Sequence, residues 1–123
     1  MRRDVAAAKR SKERREREDS ARRLQELVPN LDSLRLEIEE SREGQSWVEV
    51  RHTRHIVVGR APALFDLPCS DRHCDGSHDV TKQLVNALAA RRKRFEGRHR
   101  CGGHAKHGDC ELELHFVAEA EYD

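Results

Sequence analysis

A chain of 123 residues holds at most one modest domain. Charged residues make up 38%, apolar residues 36% and aromatics only 4%, so there is little material for a large core, and no stretch approaches the roughly 20 apolar residues of a membrane span. Lys and Arg (24) nearly balance Asp and Glu (23), and the formal net charge of +1 argues against a globally basic nucleic-acid binder. Four cysteines and eight histidines are the unusual counts.

The neutrality is a cancellation. Residues 1–23 carry ten basic and five acidic side chains (+5), and residues 24–46 carry two basic and six acidic (−4). The segment 9–20 has no apolar residue, so it buries no face and reads as a solvated helix or a disordered arm. Ala21, Leu24, Leu27 and Val28 then repeat at helical spacing until Pro29 stops the helix. Over 33–41 the period changes to two, with Leu34, Leu36 and Ile38 alternating with charges, which predicts a half-buried strand. A second strand is expected over 47–58, with Val48, Val50, Ile56 and Val58 on one face, and a short third over 63–67. Residues 69–78 read as a polar loop. Asp79 can cap a helix in which Val80, Leu84, Val85 and Leu88 share a face, and the arginine-rich segment 91–94 suits its negative end. A strand over 95–100, a glycine-rich loop over 101–110 and a cleanly alternating strand over 111–122 complete the chain. The expected fold is α+β: a small, mainly antiparallel sheet of about five strands with one packed helix (residues 33–123), preceded by a charged helical arm (1–32).

The cysteines lie in two pairs. Four residues separate Cys69 from Cys74, and eight separate Cys101 from Cys110. No apolar signal segment is visible at the N-terminus, so the reducing cytoplasm is the expected compartment, where four cysteines are expected as metal ligands or free thiols rather than disulfides. Four thiolates in two loop-borne pairs match a closed tetrahedral zinc site. Parallel strands at 63–67 and 95–100, joined by the helix as a crossover, would bring the two pairs to one end of the sheet. The glycines at 102, 103 and 108 would let backbone approach the ion, and a structural zinc supplies about 10–16 kcal/mol of apparent binding energy to a thin core. His73, His78, His104 and His107 lie close enough in sequence to replace one cysteine. His52, His55, His99 and His115 fall on expected strands and read as structural or rim histidines.

This arrangement resembles a zinc ribbon over roughly residues 63–116, which implies a metal-stapled end on a small sheet. Residues 74–78 spell CDGSH, the name motif of a family of two-iron two-sulfur proteins, whose pattern would make Cys74 and His78 ligands. That pattern also needs cysteines where this chain has Ala63 and Phe65, and a proline where it has Arg72. Half the ligand set is absent, and the pentapeptide reads as coincidence. The zinc-dependent nucleobase deaminases, considered at Pro68-Cys69, need two cysteines two residues apart and a His-x-Glu element, neither of which occurs. The stretch before Pro29 resembles the basic region of helix-loop-helix regulators, with Glu16, Glu18 and Asp19 interrupting the basic face.

Arg91, Arg92, Lys93 and Arg94 form a basic cluster able to hold phosphates without sequence specificity. The expected function is a non-enzymatic zinc-binding module for a macromolecular partner, either a protein or an RNA- or ribosome-like assembly, with no small-molecule substrate evident. The alternatives are an iron–sulfur or zinc-site redox or catalytic protein, and a nucleic-acid-binding regulator using the N-terminal helix.

Overall fold

A computed structural model describes residues 2–42, 45–71, 74–105 and 108–123. The long polar segment forms α1 (Arg2–Ser20), and its alanine, arginine and glutamate content favours that state. The expected continuation to Val28 is interrupted. Arg23 leaves helical geometry and forms a β-bridge with Pro62, and only one further turn, α2 (Leu24–Leu27), precedes Pro29. The apolar stripe serves this packed turn instead of extending the arm: Leu24, Val28 and Leu31 all join the core.

The main sheet contains β1 (Leu31–Arg42), β2 (Val50–Ile56), β5 (Arg94–Arg100) and β8 (Leu112–Tyr122) in the order β2-β1-β8-β5. Every pairing in it is antiparallel. The period-two pattern of β8 holds along its length, with Leu112, Leu114, Phe116, Ala118 and Ala120 buried. All but Leu112, which packs among the cysteines, join a core with α3 (Thr81–Ala89), which contributes Leu84 and Leu88, together with Phe65, Leu67 and Val80. The opposite face carries cross-strand charge pairs such as Arg35–Glu119, Arg51–Glu39 and Arg98–Glu113.

Two expected strands differ. The second begins at Val50 rather than at 47. It pairs with β1 alone at the sheet edge, so its central residues are exposed, and Trp47 before it is 60% exposed. The third, β3 (Asp66–Pro68), leaves the main sheet and pairs antiparallel with β4 (Ser77–Asp79), so there is no parallel crossover from it to β5. The polar loop thus closes as a hairpin, with Leu67 opposite His78. This hairpin is tied to α3: the Asp79 carboxylate accepts from the Thr81 amide, and Thr81 Oγ1 accepts from the Phe65 amide. A second small hairpin, β6 (His104–Ala105) with β7 (Gly108–Asp109), occupies the glycine-rich loop.

The helix also ends earlier than the arginine run suggested. The Arg91 amide reaches Leu88 O and the Arg92 amide reaches Ala87 O, with Arg91 at φ 57°. These are the two bonds of a Schellman motif, in which an arginine holds the left-handed position that usually falls to glycine. The four basic residues therefore lie in the exposed turn and at the start of β5, beyond the last helical turn. Among the described residues, no helix is long and apolar enough to cross a membrane.

Candidate metal centre

Both small hairpins converge on the cysteines. Cys69 follows β3, Cys74 precedes β4, Cys101 follows β5 and Cys110 lies between β7 and β8. The four sulfurs lie within 4.8 Å of one another. Cys69 and Cys110 are 3.7 Å apart, and Cys74 and Cys101 are 3.4 Å apart. A tetrahedron of Zn–S bonds of about 2.3 Å has edges of about 3.8 Å. The cluster is therefore of the size that a single ion needs, and the four residues can hold a metal. The four cysteines form no disulfide with one another. Cys74, Cys101 and Cys110 are buried and Cys69 is half-buried.

Backbone bonds fix the thiols. The Cys101 amide donates to Leu112 O, the Cys110 amide to Gly103 O and the Cys74 amide to Asp71 O, and the Gly76 amide points at Cys74 Sγ at 3.3 Å. Arg42 at the end of β1 bonds both Glu49 and Asp71, which tethers the first cysteine loop to the sheet. Burial, followed by the crowding of neighbouring thiols, pushes the Cys74 thiol up to about 12 and raises the Cys69 thiol as well. Burial thus favours the protonated form of Cys69 and Cys74, and a bound cation would reverse that preference.

The loops close because two glycines touch. A Cβ on Gly76 would lie 2.8 Å from Cys101 Sγ and from the Gly103 backbone, and one on Gly103 would lie 2.5 Å from the Gly76 nitrogen. Of the glycines read as allowing close approach, Gly103 fills that role, whereas a Cβ on Gly102 would meet open space. In the sequence Gly76 reads as half of an Asp75-Gly76 turn, not as a point of close approach.

Of the four histidines near the cysteines, His78 sits beside the cluster, against Glu40 and Cys69. His73, His107 and the His104 side chain lie outside the described residues. His78 is fully buried, with its Nδ1 3.0 Å from His99 Nδ1. Glu40 is 2% exposed and accepts from the Ser70 amide and hydroxyl. Burial acts to raise its pKa, but His78 and the two Ser70 bonds outweigh that and hold the carboxyl below the usual range. Sequence parity contained a signal for both partners. Glu40 continues the Leu34, Leu36, Ile38 face of β1, and His99 continues the Phe95, Gly97 face of β5. Phe65, at one of the positions where the iron–sulfur pattern needs a cysteine, packs in the main core.

Arg91, Arg92, Lys93 and Arg94 are exposed. The Arg92 guanidinium lies over the Phe95 ring, its carbonyl accepts from the Tyr122 hydroxyl at 2.6 Å, and Arg94 pairs with Glu119.

Comparison with known protein families, curated proteins and solved structures finds no match for this chain.

Proposed function

We propose that Cys69, Cys74, Cys101 and Cys110 hold one structural zinc ion, and that the chain is a small non-enzymatic module for a macromolecular partner. The observation that carries the zinc reading is the fit of four sulfurs, 3.4–3.7 Å apart in their closest pairs, to the edge of a zinc–thiolate tetrahedron. Thiolates are soft ligands that favour zinc over magnesium or calcium, and a site closed by four of them leaves no position for substrate. The partner reading rests on the surface. Trp47, Val48 and Val57 are exposed at the two ends of edge strand β2, and the exposed Arg91-to-Arg94 turn offers positive charge to phosphates or acidic side chains.

The test is chelation of the purified full chain, followed by hydrogen exchange. The expected result is zinc in the untreated protein and, on its removal, loss of amide protection at Cys74, Cys101 and Cys110 before the β1–β8 pairing opens. A metal-free chain that keeps the same protection overturns the reading. Replacing Arg91, Arg92, Lys93 and Arg94 with Gln and measuring salt-dependent RNA binding addresses the partner class. An unchanged affinity, or none in either chain, favours a protein partner.

A further inference from the structure

We propose that Glu40, Cys69 and His78 form a second divalent-metal site that shares the Cys69 thiolate with the four-cysteine site, so that the centre is binuclear. This rests on the zinc reading of the four cysteines and extends it. The ligand atoms of Glu40, Cys69 and His78 lie within 4.8 Å of one another, and Cys69 belongs to both groups.

The geometry of His78 is that of a ligand. Its Nε2 is buried and has no hydrogen-bond partner among the described residues. The nearest carboxylate oxygen, Glu40 Oε2, is 3.6 Å away. That is too long for a hydrogen bond, but it is close to the ~3.3 Å that separates a nitrogen and an oxygen held at about 2.0–2.1 Å on one tetrahedral zinc. The other ring nitrogen is anchored on His99, and the two rings meet edge-on with centroids 5.1 Å apart. Metal-binding histidines are held in this way: Nδ1–H donates to a neighbour and Nε2 presents its lone pair. Ligating carboxylates are likewise fixed by hydrogen bonds, as Glu40 is by Ser70.

Charge leads to the same conclusion. Four thiolates around one zinc leave −2, and the Glu40 carboxylate beside Cys69 brings the buried total to −3. Isolated buried charge is costly, and a second divalent ion reduces the total to −1.

Metal stoichiometry of the full chain under excess zinc tests the proposal. Two zinc ions per wild-type chain are expected, and one in Glu40→Gln and in His78→Gln. Cobalt(II) reconstitution of the wild-type chain provides a reading that needs no variant to fold. The first equivalent should give a high-spin paramagnetic signal, and the second should diminish it through coupling across the shared thiolate. Saturation at one ion per chain with an undiminished signal overturns the second site and leaves the four-cysteine reading standing. Binding of no metal overturns both.

Discussion

Gly103 and Gly76 meet backbone to backbone beneath the sulfurs, so a methyl group at either position has to push the two cysteine loops apart. Gly103→Ala is expected to destabilise the chain by about 1–3 kcal/mol, the usual cost of overpacking, and to weaken zinc retention. Gly102→Ala, whose Cβ meets open space, should leave both unchanged. Thermal melts and zinc content of the two variants check this contrast. At this scale the sequence carried the four cysteines plainly, because thiols in polar, glycine-containing loops have few other uses. It did not reveal which glycine touches which. That depends on two segments about 26 residues apart folding against each other, which no local pattern encodes. Glu40 was visible as a charge at core parity, and only its burial beside His78 gives that parity a meaning.

Among the elements, the end of α3 carries a cost that one substitution can remove. Arg91 sits at φ 57°, where its Cβ crowds the backbone, while the surrounding Schellman bonds require that conformation. Arg91→Gly is expected to stabilise the chain by about 0.5–1 kcal/mol, the relief of left-handed strain less the larger unfolded-state entropy of glycine. Chemical denaturation should show a higher midpoint with an unchanged slope. A lower midpoint would mean that the Arg91 side chain makes a contact worth more than the strain. The long strands β1 and β8 were legible because each has one face buried and one charged, so their period of two is sharp. The edge strand β2 and the hairpin strands β3 and β4 were not. The first is exposed on both faces, and the others are three residues long, too short to show a period. The assumption that β3 joined the main sheet followed from the helix after it, but the chain turns back at the cysteines first.

At the scale of the whole molecule, the described residues form two cores of different kinds. The larger joins α2, α3 and the apolar face of the sheet, and ordinary burial accounts for it. The smaller contains Cys74, Cys101, Cys110 and Leu112, with Cys69 packed against it. Burying Leu112 is worth about 1.5–3 kcal/mol, whereas each loop residue ordered costs about 1–2 kcal/mol of backbone entropy. Apolar burial alone does not hold these loops, and on the zinc reading an ion bound by the four thiolates would supply what is missing. On that reading the thin composition and the surplus of cysteines are connected, with most of the chain folded by burial and one end by ligation. The measurement that addresses this most directly is X-ray absorption at the zinc edge on the purified full chain. The expected result is a first shell dominated by sulfur at about 2.3 Å. A shell of nitrogen and oxygen alone, or no zinc edge in a folded protein, would contradict it.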